Sequence, residues 1–360
     1  GKLSIADMRK LVNKKAGHKV AHDLTEDNPT AVKDWIPTGS RWLDSIICRG
    51  RLAGIPIGKI VEIAGLEATG KSFMAAQVAA NAQNMGIDVI YFDSESAIDP
   101  TFLERAGCDL ESLLYVQAAS VEFVLETIEE LLGSNDNRML FIWDSLALTP
   151  AISDVEGDFN PQSSMAVKAR ILAKGMSKLT VPIANCQSTF LVLNQLKTNI
   201  TRSPSAVLTT PYVTPGGKAM IYAYSLRVWL TGRKAKASFI TDKNGFRIGS
   251  EVKVKLEKSR FGTQGRQCNF KILWGDEIGI QDEESWFDAI KSSDKLTSSG
   301  AWYSLDMGDG NAKKFQPSKW ADCMQEENFR QRVLDIMDEE IVKKFDKREG
   351  DASAFYESEE

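Results

Sequence analysis

Residues 65–72 read GLEATGKS, and these eight positions leave few architectures open. They satisfy G-x-x-x-x-G-K-[ST], in which glycines let backbone N–H groups turn inward around a phosphate chain while a lysine and a hydroxyl follow at fixed spacing. The pattern carries meaning only between a strand and a helix. KIVEIAG before it is a short apolar run rich in β-formers, and SFMAAQVAANAQ after it has helical character. The start of that helix adds a favourable partial charge for an anion. Gly65, Leu66, Glu67, Ala68, Thr69, Gly70, Lys71, Ser72 and Phe73 are therefore read as a cradle for ATP. Lys71 would reach the β- and γ-phosphates, and the Ser72 hydroxyl would meet Mg²⁺.

The remaining apolar runs agree with that beginning. DVIYFDSE, MLFIWDSL, QSTFLVLNQ and YSLRVWLTG are short and nearly continuous, and helical stretches such as VEFVLETIEELLGS lie between the early ones. Strands of this kind alternating with helices predict an α/β fold, a mostly parallel sheet flanked by helices. ASFITDKNGFRIGSEVKVKLEKSRFG and CNFKILWG predict an antiparallel extension of it. The expected organisation is an N-terminal helix and linker over 1–34, an ATPase core over 35–275, a small α+β C-terminal domain over 276–345 and an acidic tail over 346–360. In the first segment, Ile5, Met8, Leu11 and Val12 fall on one helical face, which marks it as a packing face and, were the chain to assemble into filaments, as an oligomerisation segment. From Asp276 onward the periodicity reads as helical and charged.

Charge is unevenly spread. Residues 276–360 hold 22 Asp and Glu against 11 Lys and Arg, leaving 33 basic and 27 acidic groups on residues 1–275. A mildly basic body with an acidic end is compatible with nucleic-acid binding moderated by its own tail. The five cysteines are scattered singly, as expected of reduced thiols in a cytoplasm. Two histidines argue against a histidine-rich metal site, and no apolar run is long enough to span a bilayer.

A phosphate cradle needs a carboxylate near the magnesium, at the end of a neighbouring apolar strand. MLFIWDS offers Asp144, whose contact with the metal would run through water. A group that orients the attacking water is also required. FDSESAIDP offers Asp93, Glu95 and Asp99 at another strand end, of which Glu95 is the choice. One segment fits no regular element: TNITRSPSAVLTTPYVTPGG, residues 198–217, follows the apolar run ending in Gln195. Structureless connections of this length are uncommon unless functional. Lys197, Arg202 and Lys218 can neutralise phosphates there, the hydroxyls of residues such as Thr198 can hydrogen-bond them, and Gly216 and Gly217 permit close backbone approach.

IPTGSRWLDSIICRGRLAGIPIGKIVEIAGLEATGKS, YFDSESAIDP, FIWDSLALTP, VLNQ, TPGGKAM and GAWYS occur in that order. Together they resemble the RecA family of homologous-recombination ATPases from about residue 35 to at least 345. LEKSR and the acidic end also resemble the recombinases of T-even-type phages, which implies the cytoplasm of a bacterium or of a phage-infected one. The resemblance implies that Glu95 is the catalytic glutamate and that Asp99 sits by the adenine amino group. It places Phe102 where the family commonly stacks a tyrosine on the base, and gives Gln195 the sensing of the γ-phosphate. Residues 197–215 would form one DNA-binding loop, including Asn199, and EGDFNPQSSM, 156–165, the other. Ile200 and Met165 would lie beside stretched bases, with Arg170 facing the same groove. Lys258 and Arg260 take the places of a K-x-K pair that acts in trans on the neighbouring subunit's ATP; arginine in the second place keeps the charge but changes its geometry.

The implied activity is a DNA-dependent ATPase that forms helical filaments on single-stranded DNA and exchanges strands with homologous double-stranded DNA. Single-strand-binding and mediator proteins are candidate partners. Two rivals share parts of this pattern. A ring helicase would share the cradle and carboxylates but not TPGG and GAWYS, and a non-catalytic mediator would not need Lys71, Glu95 and Asp144 together.

Overall fold

The computed structural model describes residues 1–29, 31–95, 98–156, 161–200, 203–205, 211–232 and 238–346. The chain divides into two compact units, Gly1–Asp34 and Trp35–Glu360. In the first, helix Ile5–Ala16 begins at Ser4, whose side chain accepts from the Asp7 N–H at 3.1 Å. It ends at Gly17, whose φ of 77° supplies the left-handed turn that closes a helix. Ile5, Met8, Leu11 and Val12 are exposed on it.

The second unit is built on one large sheet. From one edge its strands run Ile278–Ile280, Gln267–Trp274, Arg247–Ser259, Tyr224–Gly232, Ile60–Gly65, Thr189–Gln195, Met139–Asp144, Asp88–Asp93 and Leu113–Gln117, and Phe239–Thr241 pairs with Arg247–Ser259 off this path. The strands from Tyr224–Gly232 to Leu113–Gln117 are mutually parallel. Those from Arg247 to Ile280 are antiparallel, as the apolar runs predict.

Alternation along each strand divides the core between two faces. Val61, Ile63, Val89, Leu140, Ile142 and Leu191 pack with helices Arg41–Ile47 and Lys71–Asn84. Ile60, Phe92, Phe141, Trp143, Phe190 and Val192 pack with helices Val121–Ser134 and Pro161–Asn185. A sheet covered on both faces is why these strands read as unbroken apolar runs.

Two regions hold strands that periodicity alone leaves unplaced. Leu113–Gln117, LLYVQ, is a short edge strand whose run is apolar although Leu114 and Tyr115 are exposed, and sequence reasoning passes over it. After the helix Asp282–Ile290 the chain forms a three-stranded antiparallel sheet, Leu296–Ser299, Trp302–Asp306 and Ala312–Phe315, before the helices Trp320–Met324 and Glu327–Met337. The α+β character expected of this region is present, but periodicity does not place its strands, because they are four or five residues long and mostly exposed or half-buried. Their buried side is aromatic: Phe315 lies 5.5 Å from Phe329 and 5.8 Å from Trp320, ring to ring. Among the described residues no helix is long and apolar enough to cross a membrane.

Candidate nucleotide and DNA site

Because the central strands are parallel, their C-terminal ends share one edge, and the chain places Gly65, Asp93, Asp144 and Gln195 there. This is the edge at which open α/β sheets bind ligands. Residues 66–70 turn from strand to helix. Gly65 is kept bare by crowding, since a Cβ there would stand 2.4 Å from the Thr69 hydroxyl. Gly70 has φ 89° and opens the helix Lys71–Asn84. Ala68, with φ 55°, is left-handed without being glycine. Its carbonyl accepts from Arg247 Nη2 and from Ser250 Oγ, each at 2.9 Å, so the antiparallel extension holds the turn from behind. Arg247 in turn stacks on the Phe239 ring at 3.3 Å.

A cleft of about 290 Å³ opens beside this turn, lined by residues 68–73 and Trp274. Ser72 Oγ donates to Asp144 Oδ2 at 2.9 Å. The strand of Asp144 is not the immediate neighbour of Ile60–Gly65; Thr189–Gln195 lies between them. Tyr91 OH donates to the same Oδ2 at 2.7 Å. Burial and the adjacent Asp144 charge push the Tyr91 phenol well above its usual pKa, so it remains a donor. A serine hydroxyl and a carboxylate this close, beside a left-handed turn opening a helix, fit the donor set of a phosphate-bound divalent cation.

The acidic cluster after strand Asp88–Asp93 separates by surroundings. Asp93 is buried and accepts from the N–H groups of Glu95 and Ile98 and from Tyr115 OH at 2.8 Å, so it is an anchor for the turn. Asp99 caps helix Pro100–Arg105 through the Thr101 N–H at 2.9 Å. Glu95 is exposed. Phe102 packs edge-on to Phe73 at 4.1 Å, and Phe73 lies 5.4 Å from Trp274 at 33°. Together they form an aromatic wall beside the cleft.

Gln195 stands directly abreast of Gly65 in the parallel pairing, and the next N–H, of Leu196, donates to the Gly65 carbonyl at 2.9 Å. The chain leaves the sheet there. Lys197–Thr198 pairs antiparallel with Tyr212–Val213, and Asn199 N–H donates to the Pro211 carbonyl, so the long loop starts as a ribbon. Ile200 is 91% exposed and Met165 72%, and Arg170 is exposed on helix Pro161–Asn185. Gly216 and Gly217 have φ 112° and 81° and lead into helix Lys218–Ile221. A Cβ at Gly217 would touch Ala169 at 3.4 Å, which seats the foot of the loop against the helix that carries Arg170. Arg202, and residues 157–160 of the other expected loop, lie outside the described residues.

Lys258 and Arg260 are not brought to the cleft of their own chain. Lys258 Nζ donates to the Ile221 carbonyl at 2.8 Å, and Arg260 Nη2 to that of Tyr222. Ser259 is level with Leu226 and hence with Val61, four residues before Gly65. That is about 13 Å along the strand from the start of the cradle. Burial, with the charges of Arg260 and Arg227 nearby, lowers the Lys258 pKa to about 8.

Sequence reasoning passed over Tyr91, Glu62, Arg227, Arg247 and Trp274. Two of them carried a signal: Glu62 and Arg227 each interrupt an otherwise apolar strand, and an ionised group in such a run needs a partner.

A profile of the RecA N-terminal domain matches residues 4–279. Protein RecA of Saccharopolyspora erythraea is 33% identical over 295 residues, covering 80% of this chain and 80% of the relative. Protein RecA of Methylococcus capsulatus is 34% identical over 272 residues, covering 75% of this chain and 74% of its own length. That of Colwellia psychrerythraea is 30% identical over 332 residues, covering 89% of this chain and 91% of the relative. With the parallel sheet, the phosphate-type turn and the loop that leaves beside it, these matches establish that the chain belongs to the RecA family of recombinases.

Proposed function

We propose that the protein is an ATP-hydrolysing recombinase that assembles on single-stranded DNA and exchanges strands with a homologous duplex. The observation that carries this reading is the register of Gln195, abreast of Gly65 at one end and opening the long loop at the other. A group in that position touches the surroundings of the γ-phosphate and moves the first residues of the loop with it.

Residues 65–73 cradle the ATP phosphates, and Lys71 neutralises the charge of the terminal ones. Ser72 and Asp144 would hold Mg²⁺, Asp144 through water, and the ion would supply neutralisation of the phosphate charge. Tyr91 keeps Asp144 oriented. Glu95, the exposed carboxylate of its cluster, orients the attacking water and accepts its proton. Phe102 and Trp274 bound the base, with Asp99 nearby. Lys258 and Arg260 reach the nucleotide of a neighbouring subunit, which explains their distance from their own cleft. Lys197, Thr198, Asn199, Arg202 and Lys218 contact DNA phosphates, and Ile200 and Met165 lie against bases, with Arg170 beside them. Phosphate contacts of this type bind DNA without reading its sequence, so base pairing between strands selects the homologue.

The test is filament formation. Lys71→Ala should abolish nucleotide-dependent filaments on single-stranded DNA in electron micrographs; normal filaments would refute the phosphate role of the turn.

A further inference from the structure

Beneath the foot of the loop lies a buried ion pair with no part in the chemistry above. Glu62 is fully buried on strand Ile60–Gly65, on the sheet face opposite helix Lys71–Asn84. Arg227, directly across from it on the parallel strand Tyr224–Gly232, donates Nε to Glu62 Oε1 at 2.9 Å. Trp229 Nε1 donates to the same oxygen at 3.3 Å, and Asn194 Nδ2 to Oε2 at 3.4 Å. Two of these three donors also hold the loop: Arg227 Nη2 donates to Thr214 Oγ1 at 3.0 Å, and Asn194 Nδ2 to the Pro215 carbonyl at 3.2 Å. Asn194 Oδ1 accepts the Gln195 N–H at 3.0 Å.

A buried ion pair is often no more stabilising than apolar residues of the same volume, so its presence here calls for a reason other than stability. Geometry supplies one. The arginine fork has one branch on the strand that becomes the phosphate cradle and the other on the returning end of the loop. Asn194 repeats the arrangement beside Gln195. A shift of Thr214 and Pro215 cannot occur without breaking these bonds or carrying the strands with it.

We propose that Glu62 and Arg227 form a positioning pair through which the occupancy of the loop sets the rate of nucleotide turnover. This inference rests on the function proposed above. Neither residue touches nucleotide or DNA; they act on Thr214, Pro215 and Asn194.

The experiment measures ATP turnover with and without single-stranded DNA. Arg227→Lys keeps a cation against Glu62 and loses the fork that reaches Thr214. Turnover without DNA and nucleotide affinity should stay at the unmodified level, while the DNA concentration for half-maximal stimulation rises roughly ten-fold, as loss of one charge-assisted hydrogen bond implies. Thr214→Val should weaken the DNA response equally, Thr214→Ser should restore it, and Thr214→Val with Arg227→Lys should lose no more than either alone. Should Arg227→Lys fail to fold, the two Thr214 variants carry the test alone. Unaltered DNA stimulation in Arg227→Lys, an equal fall in DNA-free turnover, or additive losses in the double variant would each overturn the proposal. An unmodified protein whose turnover ignored DNA would instead overturn the functional reading itself.

Discussion

The phosphate turn and the long loop leave the same sheet edge one strand apart, yet they are held in opposite ways. The turn is gripped along its whole length: Leu66 N–H by Leu230, the Ala68 carbonyl by Arg247 and Ser250, and Ser72 by Asp144. Among the described residues, the loop is held at its base, by the ribbon of Lys197–Thr198 with Tyr212–Val213 and by the bonds to Thr214 and Pro215, while Ile200 stands out in solvent. Chemistry at a phosphorus centre needs preorganised groups, whereas a surface that accepts any DNA sequence gains from side chains that adapt. The difference points to the loop's foot as the place of its control, since the anchors found among the described residues lie there.

Variants on the two sides should therefore fail differently. Glu95→Gln should lower turnover by about 10²–10⁴-fold, the range for a positioned general base. ATP affinity, read with a fluorescent analogue, and DNA affinity should persist; unchanged turnover would move the base to another residue. Lys197→Ala on the loop should weaken single-stranded DNA binding uniformly across sequences. It should also make the slope of log affinity against log salt shallower by about 0.7, the share of one phosphate contact. An identical slope would remove Lys197 from the DNA surface.

The smallest expected effect concerns pH. With a folded-state pKa near 8, below the ordinary lysine value, Lys258 is charged beneath that pH and neutral above it. If its charge serves a neighbouring subunit's nucleotide, kcat/KM for ATP with DNA present should fall as pH rises through 8. Lys258→Arg should retain activity further into alkali. A pH profile identical in the two proteins would take Lys258 out of the trans contact.

How far the sequence revealed all this follows from the range of the interactions. The parallel strands were legible because both faces are covered, and the strand–turn–helix around residues 65–72 because its pattern is confined to consecutive residues. Leu113–Gln117 was passed over although LLYV is apolar, because so short a run stands between two helical stretches, and the individual strands of the expected α+β region, 296–315, were not placed because they are short with many polar positions. In the site, the neighbours of Asp144 depend on sheet order: Tyr91 is 53 residues from it in sequence and one strand away in space. Trp274 reaches the cleft from the antiparallel extension, and no local pattern announces that. Glu62 and Arg227 lie 165 residues apart, yet each was visible as a lone charge in an apolar strand, and pairing two such interruptions of opposite sign would have found them.

The central claim is that bound nucleotide organises the DNA loop and that hydrolysis afterwards releases it. Joint-molecule formation between a single strand and a homologous supercoiled duplex, run with ATP and again with a slowly hydrolysed analogue, tests this most directly. Homology-dependent pairing that persists with the analogue is the predicted result. Strand separation that requires turnover and ignores homology would contradict it and make the protein a motor.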